Sequence, residues 1–240
     1  MDGFVIYLIS KMKEIIIAHS SDLHIGFEWR KNDLWGVQQA IRAAQNVRAD
    51  VLLLAGDVFD HNRLSESTLE QATEFFAAAD LKVVILPGNH DPLTPNSVYR
   101  RGRLADLDNV EIIGITGQEG IVLPEMDMEI WGRPHLDHVD MLPLESPRPR
   151  STRWQIAMAH GLWVDSDSHH AWLIYDEHIA ATGADYVALG HRDTAERVGN
   201  GEVPAYYSGS PDLAKSINVV RFREDGFKEV TREYLSESRD

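Results

Sequence analysis

The 240-residue chain contains no cysteine. That absence excludes disulfide frameworks, thiolate zinc sites and cysteine nucleophiles, and it fits a reducing cytoplasm, the expected location. Long apolar runs are missing too. Residues 4–9 are apolar but far too few to span a bilayer, and no small-residue cleavage site follows them, so no membrane partner is expected. Basic residues are scarce: 23 Lys and Arg stand against 38 Asp and Glu, a formal net charge of −15. Non-specific affinity for nucleic acid relies on Lys and Arg neutralising phosphates, so this balance weighs against it. It does not exclude DNA, because carboxylates that bind cations carry less charge than the formal count.

The chain has instead the ordinary make-up of a soluble domain, with 43% hydrophobic and 25% charged residues and length enough for one substantial core. Apolar runs at 15–19, 51–55, 83–86, 110–113, 156–159 and 186–189 predict short strands buried on both faces. Helical spacing of apolar residues covers 33–47, 67–79 and 171–181. Ser67 with Glu70 forms a capping-box pattern, while Ser65 with Thr68 leaves the start of that helix open. Strand–helix alternation over the first 90 residues predicts βαβ units with right-handed crossovers. Beyond Leu107 the pattern is strand-rich, at 121–123, 128–131, 205–208, 217–222 and 228–232. The economical assembly is an α/β, four-layer α/β/β/α sandwich of two mixed sheets flanked by helices. Residues 141–150 carry three prolines and read as a surface loop. Residues 14–240 then form a single domain with no additional cap domain. Residues 1–13 read as an N-terminal extension, dispensable if translation starts at Met12, or as an edge strand.

Metal-type side chains follow the apolar runs in series: Asp22 and His24 in SSDLHIG, Asp57 in LLLAGDVFD, Asn89 in VVILPGNHD, His160 in IAMAHG, and His191 and Asp193 in YVALGHRD. Strand ends of an open sheet are where ligands bind, so the chain delivers carboxylates, imidazoles and an amide to one edge. One histidine after a strand is usually structural. Deliveries repeated along the whole chain predict a metal site.

The series D-x-H, GD, GNHD, HG and GH resembles the calcineurin-like metallophosphoesterases, over residues 14 to 222. The flavours SSDLHIG, LLLAGDVFD, LPGNHD, YVALGH and YYSGSP are most similar to the DNA-repair nuclease branch typified by SbcD. The resemblance implies two divalent ions, with Asp22, His24 and Asp57 on the first and Asp57, Asn89, His160 and His191 on the second. A donor set of oxygen and imidazole without thiolate favours Mn²⁺, with Fe²⁺, Zn²⁺ or Mg²⁺ as alternatives. The resemblance also implies that His90 is catalytic, facing the substrate phosphate and donating to the leaving oxygen, with Asp91 orienting its ring. The family usually places a second His at the end of the last motif. Here Asp193 stands in its place, and it is expected to bind the first ion directly or through water.

Further candidates are weaker. His61, Arg63 and Arg192 are expected near a bound phosphate. Trp29, Arg30 and Lys31 mix aromatic and basic character suited to bases or a sugar, and equally suit the start of a helix. His19 reads as a core histidine and His169-His170 as solvated loop. The Gly turn in residues 207–211 brings backbone to the metal edge. The leading function is dinuclear metal-dependent hydrolysis of phosphodiester bonds, with DNA exo- or endonuclease action as the finer reading and an ATPase partner implied by the resemblance alone. The alternatives are a phosphodiesterase for nucleotides or other small esters, and a non-catalytic scaffold that keeps the fold.

Overall fold

The structure, a computed structural model, describes residues 14–27, 34–118, 120–166, 168–226 and 228–236. The expected N-terminal extension and Trp29, Arg30 and Lys31 lie outside the described residues. The first part of the chain alternates strand and helix: β1 (Ile15–Ser20), α1 (Trp35–Asn46), β2 (Val51–Ala55), α2 (Glu66–Ala77), β3 (Lys82–Leu86), the short α3 (Val98–Arg101) and β4 (Val110–Ile112). Strands then dominate: β5 (Gly120–Leu123), β6 (Met128–Gly132), β7 (Trp154–His160), and the two-residue β8 (Leu162–Trp163) and β9 (Leu173–Ile174). The chain continues through α4 (Asp176–Thr182), β10 (Tyr186–Gly190), β11 (Glu196–Val198), β12 (Ala205–Tyr207), α5 (Pro211–Ala214), β13 (Ser216–Phe222) and β14 (Lys228–Tyr234).

Two six-stranded sheets result, in the orders β14-β13-β1-β2-β3-β4 and β11-β12-β10-β7-β6-β5. Both are mixed. β1 to β4 run parallel and β13 and β14 close one edge antiparallel. In the second sheet β6, β7, β10 and β12 are parallel, with β5 and β11 as antiparallel edges.

Central strands that are apolar at every position must be covered on both faces. Alternate residues divide accordingly. Ile17, Leu53, Val84 and Leu86 meet Ile130, Ile156, Met158 and Ala188 in the layer between the sheets. Ala18, Leu52, Leu54 and Ile85 face the other way, onto Val37 and Ala40 of α1 and Leu69, Ala72 and Phe76 of α2. On the outer face of the second sheet, Trp131, Ala157, Ala159 and Val187 pack under Leu144, Ile174 and Ile179 of α4. This is the four-layer α/β/β/α sandwich.

Two local differences from the sequence reading have physical causes. The expected helix at 171–181 is confined to Asp176–Thr182, because Leu173 and Ile174 pair in parallel with Leu162 and Trp163. The helical spacing there is satisfied by a ladder instead. α2 is capped by Ser65, whose hydroxyl accepts from the Thr68 amide at 3.2 Å, so of the two overlapping patterns the earlier one starts the helix.

Candidate metal centre

Five strands end at one rim of the sandwich. β1 leads into Asp22 and His24, β2 into Asp57, and β3 into Asn89 and His90, while β7 ends on His160 and β10 leads into His191. Beyond the formal strands the first two continue to pair, with Asp22 N donating to Gly56 O at 3.1 Å and His24 N to Asp57 O at 3.0 Å. Four of these residues adopt left-handed backbone: Asp22 at φ 56°, His24 at 47°, Asp57 at 51° and His191 at 98°. Such conformations cost energy for non-glycine residues and cluster at functional sites.

Two glycines make the close approach feasible. A Cβ on Gly190 would collide with the Ala55 carbonyl of the opposite sheet, and one on Gly56 would collide with the His160 imidazole. Gly56 also has φ 90°, a conformation that favours glycine.

The side chains converge as two clusters that share Asp57: His24, Asp57 and His90, and Asp57, His160 and His191. His160 is fully buried; its Nδ1–H donates to the Ala55 carbonyl at 2.8 Å. That bond points Nε2 at Asn89 Oδ1 (3.0 Å) and Asp57 Oδ2 (3.1 Å). Nδ1 of His191 also reaches Asn89 Oδ1 at 3.0 Å, and the His191 amide donates to both oxygens of Asp22 at 3.1 Å.

The electrostatics of this cluster fit a cation. Burial alone would lower His160, yet the Asp57 carboxylate, with Asp22 and the Ala55 carbonyl, pushes it up to about 9. Burial would likewise raise Asp57, but the charged His160 holds it well below the usual carboxylate range. Burial raises Asp22 to about 6 against the attraction of His160. His191 is pushed down to about 4 by burial and by the charge on His160. Since Nδ1 of His160 is already a donor, its contacts to Asn89 and Asp57 require a second proton on Nε2. A divalent ion held by these oxygens and nitrogens would take the place of that proton, as metal ligation by imidazole and carboxylate does generally.

His90 stands in the first cluster with His24 and Asp57, and its ring has a partner other than the expected Asp91. Its Nδ1 donates to the Asp60 carbonyl at 2.9 Å, and its amide to Asp57 Oδ1 at 2.9 Å. Asp91 does not orient the ring. Its carboxyl is fully buried and accepts from Gly88 N (2.7 Å), Phe59 N (2.9 Å) and the Tyr99 hydroxyl (2.6 Å). Asp91 therefore ties the Asn89–His90 turn to the Asp57 loop from beneath, with burial and the nearby Asp57 pushing it up to about 6. The residue that meets the imidazoles is Asp60, whose carboxylate lies 3.1 Å from Nδ1 of His24. Sequence reasoning missed it, although a second Asp three places after Asp57 was the available signal.

Other expected site residues are not gathered in. Asp193 is exposed and outside both clusters, and its carbonyl accepts from Ser210 N at 3.0 Å. Arg192, expected near a bound phosphate, pairs with Glu196 at 2.8 Å and stacks over Tyr207. His61 Nδ1 accepts from the Arg63 amide at 3.1 Å, closing a local turn, and Arg63 is exposed. His169 and His170 are exposed loop residues, and His19 is buried against the Tyr186 hydroxyl at 2.9 Å. The turn at 207–211 does touch the rim: Ser208 hydrogen-bonds Ser21, beside Asp22, at 2.9 Å.

The family model for calcineurin-like phosphoesterases matches residues 15–192, the stretch that carries every strand end just described. The chain belongs to the calcineurin-like phosphoesterase family. Family membership and the paired clusters together support a metal-dependent hydrolase of phosphoesters. Within the family, the chain is 25% identical over 238 aligned positions to the DNA double-strand break repair protein Mre11 of Archaeoglobus fulgidus, covering 87% of this chain and 53% of that one. The chain thus spans about half the length of that relative. The solved structure of TT1561 from Thermus thermophilus aligns with a TM-score of 0.60 at 12% identity, covering 91% of this chain and 99% of the other, a likeness of fold. No helix among the described residues is long and apolar enough to cross a membrane.

Proposed function

We propose that the protein is a dinuclear metal-dependent phosphodiesterase. The observation that carries this reading is the pair of His/Asp clusters joined through Asp57. In this reading Asp22, His24 and Asp57 hold one divalent ion, and Asp57, Asn89, His160 and His191 hold the other. Mn²⁺ suits the mixed oxygen and imidazole donors best, ahead of Fe²⁺, Zn²⁺ or Mg²⁺. Two such ions supply an activated water and neutralise charge developing on the phosphoryl oxygens.

The chain's own residues supply the remainder. The hydrogen bond from Nδ1 of His90 to the Asp60 carbonyl fixes the tautomer and leaves Nε2 to carry a proton toward the leaving oxygen. Asp60 aligns His24 through its carboxylate in the same stroke. Asp91 holds the His90 turn in register with the Asp57 loop.

For the substrate we favour a nucleic-acid phosphodiester, DNA ends in particular, on the strength of the Archaeoglobus relative and the motif flavours. An ATPase partner follows only from the resemblance. The net charge of −15 favours the second reading, a nucleotide or other small diester. Asp193, exposed in the structure, has a role only if its carboxylate reaches the first ion through water. The deciding experiment is Mn²⁺-dependent hydrolysis of end-labelled duplex DNA and of bis(p-nitrophenyl) phosphate, with His90→Ala as the paired control. Hydrolysis of the small ester alone rejects the DNA reading. Inactivity toward both, in protein that binds no ions, leaves the scaffold.

A further inference from the structure

A groove of about 950 Å³ lies beside the metal centre, lined by Trp131, Arg133, Leu136, Val139, Met141 and Arg148 among others. None of these residues has a part in the chemistry above. Trp131 is 2% exposed, and its indole Nε1 is buried with no hydrogen-bond partner among the described residues. An unmet buried donor costs about 1–3 kcal/mol and calls for an explanation. Leu136 and Val139, by contrast, are 64% and 69% exposed, two large apolar side chains in the lining of the same groove.

The charges in the wall are already satisfied. Arg133 pairs with Glu145 at 2.9 Å and Arg148 with Glu129 at 3.5 Å. Asp137 accepts from Val139 N at 2.8 Å and Asp140 from Trp172 N at 2.7 Å. An ionic occupant would have to break one of these pairs. A neutral, flat group with a hydrogen-bond acceptor would not, and exposed Gln118 at the mouth offers both a donor and an acceptor.

Trp172 joins this groove to the metal centre. Besides its bond to Asp140, its Nε1 donates to Val139 O at 3.4 Å, and its ring meets His191 edge-on at 5.8 Å and His135 at 5.3 Å. His135 in turn donates from Nε2 to the His160 carbonyl at 2.9 Å. Trp172 is held at φ 57°, an uncommon conformation for a bulky residue. The groove wall and two proposed ion ligands are thus one packed unit.

We infer that the groove is the subsite for the organic group of the phosphoester, and that this group is a neutral planar heterocycle of the nucleobase kind. Trp131 Nε1 donates to a ring nitrogen or carbonyl, while Leu136 and Val139 cover the faces of the ring. The volume falls within the range of small-molecule pockets and accommodates a nucleoside. The inference rests on the phosphoesterase reading for its meaning, and its test is separable from it.

Adenosine, which has base and sugar but no phosphate, is titrated calorimetrically into Mn²⁺-loaded protein, with inorganic phosphate titrated in parallel. Adenosine is expected to bind, with Trp131→Phe weakening it on the order of tenfold, the equivalent of one lost hydrogen bond. Leu136→Asp, at an exposed position that folding does not depend on, should weaken it at least as much. Phosphate binding should change in neither variant. Protein that binds phosphate but not adenosine overturns the inference, and so does adenosine binding indifferent to both substitutions. Adenosine binding in protein that hydrolyses no phosphodiester leaves the groove assignment standing and rejects the catalytic reading.

Discussion

The main-chain carbonyl of Asp60 accepts a hydrogen bond from Nδ1 of His90 at 2.9 Å. The same residue's carboxylate engages Nδ1 of His24 at 3.1 Å, so one residue serves a proposed proton donor through its backbone and a proposed ion ligand through its side chain. Substitution separates the two services. Asp60→Ala keeps the carbonyl and loses the carboxylate, so it should weaken binding of one ion by about 10- to 100-fold while the other binds normally. His90→Ala should do the reverse, keeping both ions and losing about 10²–10⁴ in kcat. Ion titration beside steady-state kinetics reads both, and equal effects on the two ions in Asp60→Ala would reject this division.

Gly190 lies against the opposite sheet at the rim, with no room for a Cβ. Gly190→Ala should destabilise by about 1–3 kcal/mol or more and displace His160, because its Cβ meets the Ala55 carbonyl and the imidazole together. Gly183→Ala is the matched control, since Gly183 has φ 55° and open space around it. That control should cost only the left-handed penalty of about 1–2 kcal/mol and leave ion content intact. Denaturation curves with metal analysis would show it.

Loading the site should expel protons. Without ions His160 is raised to about 9, so it is charged at neutral pH, and a cation must displace that proton. Affinity should therefore climb with pH and level off only near 9. Calorimetry at about pH 7 in buffers of different ionisation enthalpy would count the released protons, and a count near zero contradicts the assignment of His160.

Acid stability should report on His19. Burial lowers it from 6.5 to about 3, so between those values the unfolded chain binds the extra proton. His19 therefore contributes nothing adverse above pH 6.5, and destabilises progressively as pH falls from there toward 3, by about 1.4 kcal/mol per unit. Urea midpoints of the wild type and His19→Asn should keep a constant offset at neutral pH, with the wild type falling faster in acid. Parallel curves would show that the ring is not buried neutral.

Asp193→Ala should leave ion content unchanged, because the carboxylate is exposed and apart from both clusters. Loss of one ion on this substitution, measured by elemental analysis, would mean that the last loop closes when the site is loaded.

The sandwich was legible because its strands are apolar on both faces, a pattern that leaves few assemblies open, and the rim was legible because each ligand follows its strand within a few residues. What escaped depended on three-dimensional competition. Leu173 and Ile174 keep helical spacing but find Leu162 and Trp163 as ladder partners. Asp91 and Asp60 are both plausible neighbours of His90 in sequence or loop. Only the burial of Asp91 under Tyr99 and the reach of the Asp60 carbonyl decide between them. Arg192 lay between two expected ligands, yet Glu196, at the start of the next short strand, claims it.

Asp22, Asp57 and Asn89 extend from strands of the first sheet, whereas His160 and His191 belong to the second. Elsewhere the facing layers meet mainly through apolar side chains, which attract without direction, with a few hydrogen bonds such as that of His19 to Tyr186. Ions seated at the rim would be coordinate cross-links between two halves that otherwise adhere mostly through apolar contact. The relative tilt of the sheets then becomes a property of the loaded protein, and chelation would release it at that end while the far end stays closed. Thermal midpoints that move with free ion concentration would be the bulk signature of that hinge.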